Sequence, residues 1–203
     1  MVKRFGLALA LALLAGFAQA DDLSLLTRRL DALASLEGSF QQTLLSSQGD
    51  TLEQSAGRFR LLRPGHFYWH IETPEEQLLI ASNDVLWHYD IELETVTRRR
   101  LSSGNPGNPL TILGGDVASL EQHYRISILG DNGWRFEPRF ESADFAAVEL
   151  YFDADLPASL VIHDKLARQS VIRFSGLRSA GTLTPDDFLF TPPPGVDVYD
   201  SEP

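Results

Sequence analysis

His66 and His70 stand four residues apart, the spacing at which two histidines on one helical turn grip a metal ion. The residues between them, Phe67-Tyr68-Trp69, read as strand instead. On a strand the two imidazoles share a face but lie about 13 Å apart, too far to share one ion. His88, His123 and His163 are isolated in sequence. Asp186-Asp187 suggests an acid pair, yet neighbours on a strand point apart, and a solvated turn is the simpler reading. The sequence has no G-x-S-x-G, S-x-x-K or H-E-x-x-H motif and no phosphate-binding glycine loop. It also has no cysteine, which removes thiol nucleophiles, zinc ribbons and lipid attachment at cysteine. The expectation is therefore no enzyme, no metal and no cofactor.

What the sequence does offer is apolar chemistry. Phe40, Phe59, Phe67, Trp69 and Trp87 fall on successive strand-like runs, and the two-residue period puts Phe67 with Trp69, and Phe59 with Leu61, on one face. Such a wall is either a filled core or the lining of a ligand cavity. Two segments are available to cover it. Leu23, Leu26, Leu30 and Leu33 form a stripe on one helical face, with Asp21-Asp22 at its start and Gly38 beyond its end. Asn108-Pro109 then starts a short apolar turn, Leu110, Ile112 and Leu113, that Gly114-Gly115 stops. These helices act as a permanent plug or as a lid, and the pattern alone leaves both open.

The elements that carry the wall are strands. Apolar runs at 40–45, 57–62, 66–72, 77–81, 85–91, 95–101, 124–129, 134–138, 147–153, 159–163 and 170–175 alternate with turn signals such as Arg63-Pro64-Gly65 and Gly130-Asp131-Asn132-Gly133. About eleven strands with few helices between them predict an antiparallel meander that curls into an unclosed barrel. Val117 to Gln122 adds a further short helix, and Pro192-Pro193-Pro194 excludes a central strand near the end. One domain, residues 21–203, follows a leader at 1–20. Lys3-Arg4, the apolar run Phe5–Phe17 and Ala18-Gln19-Ala20 make that leader a cleavable signal peptide. The apolar run is too short to span a bilayer. Loss of Lys3 and Arg4 lowers the formal net charge from −11 to −13, which disfavours nucleic acid and anionic membranes and favours a basic partner. Nothing argues against a monomer.

Arg63-Pro64-x-x-Phe67-x-Trp69 resembles the R-P-x-x-F-x-W pattern of the outer-membrane lipoprotein carrier (LolA) family. Phe40-x-Gln42, Gly57-x-Phe59, Leu86-Trp87-x-Tyr89-Asp90, Gly107-Asn108-Pro109-Leu110 and the terminal Phe188-x-Phe190-Thr191-Pro192-Pro193-x-Gly195-Val196 extend the likeness over nearly the whole exported chain. The resemblance implies a periplasmic chaperone with an incomplete barrel under a helical lid. Such a carrier takes acylated lipoproteins from an inner-membrane ATP-binding-cassette (ABC) transporter and passes them to an outer-membrane receptor lipoprotein. It implies a lid-locking role for Arg63, lid positions at Leu110, Ile112 and Leu113, and inner-wall positions at Phe67 and Trp69. Leu110 departs from the bulky aromatic that the family often places in the lid. A lipid- or lipoprotein-sensing protein of the same fold is the alternative reading.

Overall fold

The computed structural model describes residues 23–82, 85–100, 111–115, 117–139, 143 and 145–201. Residues 1–22, with the expected leader, and residues 101–110, with Leu110 and the Gly/Asn/Pro-rich run before it, lie outside that set. The leucine stripe folds as predicted into a helix, α1 (23–32), with Leu26 and Leu30 fully buried, Leu33 just past its end buried, and Leu23 half-buried. Two short helices follow much later in the chain, α2 (Thr111–Gly114) and α3 (Val117–His123).

Strand formation follows the alternation of apolar and polar residues. The strands are β1 (Ser35–Leu45), β2 (Thr51–Leu62), β3 (His66–Thr73), β4 (Gln77–Ser82), β5 (Val85–Asp90) and β6 (Thr95–Arg100). After the helices come β7 (Tyr124–Leu129), β8 (Gly133–Pro138), β9 (Phe145–Asp153), β10 (Leu156–Asp164), β11 (Gln169–Arg178) and β12 (Asp197–Ser201). They form one open sheet in the order β12-β6-β5-β4-β3-β2-β1-β11-β10-β9-β8-β7. Every pairing is antiparallel except β12 with β6. The expected eleven strands are all present, and a twelfth was missed. Asp197–Ser201 follows the proline run and adds to the β6 edge in parallel, where a five-residue strand exposed at every position gave no burial signal.

The core lies on one face of the sheet. Leu36, Phe40, Phe59, Leu61, Phe67 and Trp69 from one half, and Trp134, Phe136, Leu150, Phe152, Leu160 and Ile172 from the other, join α1, α2 and α3 in one buried cluster. The opposite face carries ion pairs, such as Arg58 with Glu72 and Arg135 with Glu149. It also carries a polar groove of about 330 Å³ lined by Glu37, Arg58, Arg60, Tyr68, His70 and Arg178, among others.

Over β4 and β5 that outer face is apolar, with Leu78, Ile80, Val85, Trp87 and Tyr89, and the C-terminal segment packs there. A 3₁₀ turn at Pro185–Phe188 buries Phe188 beside His66, and Phe190 packs on Trp87 and Tyr89 with ring centroids 5.6 and 6.0 Å apart. Trp87 is thus misplaced in the sequence reading. It sits opposite Ile80 in the register, on the outer face, while its neighbour Leu86 continues the row of Phe67 and Ala81 on the inner one. Asp187 belongs to the same turn, where its carboxylate accepts from the Thr184 amide and hydroxyl at 2.8 and 3.0 Å. Those bonds hold the carboxyl below its ordinary range, so the acid pair is the solvated turn the sequence suggested.

The tightest point of the inner face is Gly57, between Phe40 on β1 and Ile71 on β3. A Cβ there would lie 1.8 Å from the carbonyl oxygen of His70, and backbone cannot yield as a side chain can. Gly57→Ala is expected to cost about 3 kcal/mol, the upper end for overpacking, read as a fall of roughly 6–12 °C in Tm.

Candidate functional site

Arg63 lies in the turn between β2 and β3, at the end of the sheet where β1 begins. The Arg63 amide donates to the carbonyl of Ala34 at 2.9 Å, which fixes the turn against the chain leaving α1. The side chain is only 9% exposed and reaches two helices at once. Nη1 donates to the carbonyl of Leu30, and Nη2 donates to the carbonyl of Gly115 at 2.6 Å. The Asp31 carboxylate lies 3.6 Å from Nη2. Both carbonyls belong to helix ends, where intrahelical donors run out and partial negative charge gathers. A guanidinium suits this position because its rigid, always-charged fork presents several donors in one plane. A second backbone contact runs alongside, from the Gly65 amide to the carbonyl of Gly114 at 3.4 Å.

Beneath these polar contacts the part of the interface around the aromatic wall is apolar. Leu26, Leu30, Ile112 and Leu113 are fully buried and belong to the same cluster as the strand residues. The centre of the wall is aromatic. Phe40 stacks on Trp69 at 3.6 Å between ring centroids, with Phe67 and Phe59 at 5.7 and 5.8 Å from the same indole. The structure therefore brings together Phe40, Phe59, Leu61, Phe67 and Trp69 as one surface and sets Leu26, Leu30, Leu33, Ile112 and Leu113 against it. Trp87 is excluded from this surface, and Leu110 lies outside the described residues. In this conformation the helices occupy the space over the wall.

The sequence reading missed Arg29. It stands three residues after Leu26 and four before Leu33, so the helical period puts it beside the buried stripe rather than on the solvent face. Its side chain is 10% exposed, and Nη2 donates to the Asn132 side-chain oxygen at 2.8 Å. The guanidinium lies over Trp134 and Phe152, 5.4 and 5.2 Å from their ring centroids. The two histidines that opened the metal question behave as strand residues. His66 donates to the Pro64 carbonyl, and His70 pairs with Glu76. No group of three or more potential ligands occurs among the described residues.

An open antiparallel sheet with an apolar inner face, covered by short helices that polar contacts hold at their ends, defines a lidded half-barrel. Residues 31–191 match the family described as outer membrane lipoprotein carrier protein LolA. An outer-membrane lipoprotein carrier protein of Alcanivorax borkumensis is 33% identical over 178 residues, 86% of this chain and 85% of its own. One from Pseudomonas aeruginosa is 33% identical over 195 residues, 93% and 94% of the two chains. The crystal structure of an uncharacterized conserved protein from Thermus thermophilus shares the fold, with a TM-score of 0.54 at 16% identity over 89% of this chain and 99% of that one. The chain belongs to the outer-membrane lipoprotein carrier family, whose members carry lipoproteins through the periplasm. No helix among the described residues is long and apolar enough to cross a membrane.

Two outcomes follow from this geometry. Arg63→Leu removes the donor shared by Leu30 and Gly115. Hydrogen bonds to a charged group are each worth about 1.5–3 kcal/mol, so amide exchange in α1 and α2 should quicken at least about tenfold while β1 and β2 stay protected. Unchanged exchange in the helices would make Arg63 an ordinary turn residue. His88, on the inner face beside Leu79, donates from Nε2 to the Gln77 side-chain oxygen at 3.0 Å. Burial pulls its pKa below the ordinary 6.5, against a smaller opposing pull from Asp90. The unfolded chain then takes up this proton at higher pH than the folded one, so the contribution is lost as pH falls below about 6.5. His88→Gln should flatten the stability profile between pH 7 and 5 in urea titrations.

Proposed function

We propose that the chain is a periplasmic chaperone for acylated lipoproteins, exported by cleavage after Ala20. It accepts cargo from an inner-membrane ABC transporter and shelters the acyl chains against the aromatic wall. It then delivers them to an outer-membrane receptor lipoprotein. The observation that carries this reading is the division of the closed interface into two kinds of contact. Around Phe40, Phe59, Leu61, Phe67 and Trp69 the wall is covered by leucine and isoleucine side chains, a contact that acyl chains can supply as well. The lid is tied down at its ends by the Arg63 fork, whose bonds can open without unfolding the sheet. Arg63 is thus the lock, α1 and the Ile112–Leu113 turn are the lid, and Phe40, Phe59, Leu61, Phe67 and Trp69 are the surface that cargo covers when the lid lifts.

Energetics explain the need for such a protein. Each methylene moved from a lipid-like environment to water costs about 0.8 kcal/mol, so a multiply acylated protein resists the aqueous step by tens of kcal/mol. The carrier performs no chemistry on its cargo and works as a monomer without metal or cofactor. Having no cysteine, it carries no lipid of its own and is free to travel. Purified protein incubated with spheroplasts that are exporting lipoproteins should bring lipoproteins into the soluble fraction. A soluble fraction free of them would defeat the carrier reading. The Arg63→Leu protein should still load, but pass less than about a tenth of its cargo to receptor-bearing membranes, since a lid that cannot reclose no longer helps to expel its cargo.

A further inference from the structure

The guanidinium of Arg29 is nine-tenths buried, yet Nε and Nη1 have no hydrogen-bond acceptor among the described residues. Asp155 comes no nearer to Nε than 3.8 Å and is itself 86% exposed. Trp134, whose ring lies beneath the guanidinium, is 1% exposed and leaves its indole Nε1 unpaired as well. Buried polar atoms are nearly always paired, so a cluster of unpaired donors with no acceptor among them is a chemical signature. A guanidinium has donors and no acceptor, and an indole can only donate. The group that complements them offers oxygen acceptors and brings no donor of its own.

The location narrows the choice. Trp134 and Phe152 belong to the inner wall, in the same cluster as Phe40 and Trp69. Arg29 also touches Asn132, in the turn between β7 and β8, and lies near Asp155, in the turn between β9 and β10. The register puts both turns at the end of the sheet that carries Arg63, since β10 begins beside the end of β11, and β11 ends beside the start of β1. Arg29 therefore marks the rim of the apolar wall. A chain that lies along the wall with its head at this rim brings the atoms that join it to the rest of its molecule up to these donors. In an acylglycerol those atoms are ester carbonyls, which accept and do not donate.

We propose that Arg29, with Trp134, forms a site for the ester carbonyl oxygens of acyl chains held on the wall. This rests on the carrier reading and adds to it a polar register point. The apolar wall is indifferent to where a chain sits along it, whereas the carbonyl site fixes the head at the rim. It also distinguishes acyl from alkyl chains. Because Arg29 rides on α1 and Trp134 is fixed in β8, a carbonyl shared between them would draw the helix back over its cargo.

The test compares dimyristoylglycerol, its di-O-tetradecyl ether analogue and myristate, each displacing the fluorophore N-phenyl-1-naphthylamine from the purified protein. The wild-type protein should bind the diester at least about tenfold more tightly than the diether, the value of a charge-assisted bond present in one and absent in the other. Arg29→Met should bring the two within twofold while still binding the diether. Equal affinities in the wild type would overturn the carbonyl site and leave the carrier reading standing, and so would a preference that survives in Arg29→Met. A wild-type preference for myristate over the diester would show a carboxylate site instead and overturn the ester assignment. Failure of all three lipids to bind the wild type would count against the carrier reading itself. The wild-type comparison needs no folded variant.

Discussion

The inner face of the sheet centres on an apolar wall, and water cannot be the occupant of that wall. Phe40, Phe59, Leu61, Phe67 and Trp69 are each less than 5% exposed because α1 and α2 lie over them. Burying Leu26, Leu30, Leu33, Ile112 and Leu113 is worth roughly 10 kcal/mol at about 2 kcal/mol per side chain. Any ligand that displaces the helices must repay that amount with its own apolar surface. The rest of the architecture follows from this competition. In the proposed carrier an open sheet lets the helices lie over the wall from its free side. The covering elements must be short, so that they detach as units. Their attachment must be polar and local, so that it can be released without disturbing the wall.

The two arginines at one end of the sheet meet that last requirement in opposite ways. Arg63 projects from the sheet to the helices and finds the carbonyls of Leu30 and Gly115. Arg29 projects from the helix to the sheet and finds Asn132, with two nitrogens unpaired. The first arrangement favours closure. The second keeps a cost in the closed state, because a buried donor without an acceptor forfeits the hydration it had outside. A lid balanced between a satisfied arginine and an unsatisfied one is held less firmly than its apolar area suggests. Reversible carriage needs that balance, since a ligand moves an equilibrium only by the difference in its affinity for the two states.

Much of this was legible in the sequence. Strand positions followed from two-residue alternation, and the α1 leucine stripe from its spacing. The inner wall was legible wherever only one face of a strand is buried, as in β2, where Ser55, Gly57, Phe59 and Leu61 alternate with more exposed residues. The reading failed where both faces are covered. Gln77-Leu78-Leu79-Ile80-Ala81 has no alternation, the mark of a strand buried on two sides, and its neighbour Trp87 was assigned to the wrong face for want of that inference. The cover, Phe188 and Phe190, lies about a hundred residues away, a distance that no local pattern bridges. Arg29 was missed for a related reason: a charged residue beside a leucine stripe normally snorkels to solvent, and only tertiary packing shows that here it does not.

The outer face carries features that disfavour aggregation. Its exposed strands carry matched charges, with Arg58 beside Glu72, Arg178 beside Glu37, and Arg135 beside Glu149. Where β4 and β5 turn apolar on that side, the segment of Phe188 and Phe190 covers them, and β12 then lies along β6. The strand thereby presented at the edge is short and exposed at every position, with Asp200 paired to Arg98, features that discourage another strand from adding to it. Among the described residues the large apolar clusters are covered, and the exposed large apolar side chains, such as Leu52, Leu93, Leu166 and Val198, are scattered singly. In the proposed carrier a second apolar surface would compete with the wall for cargo, and it would hold that cargo out of reach of both Arg29 and Arg63.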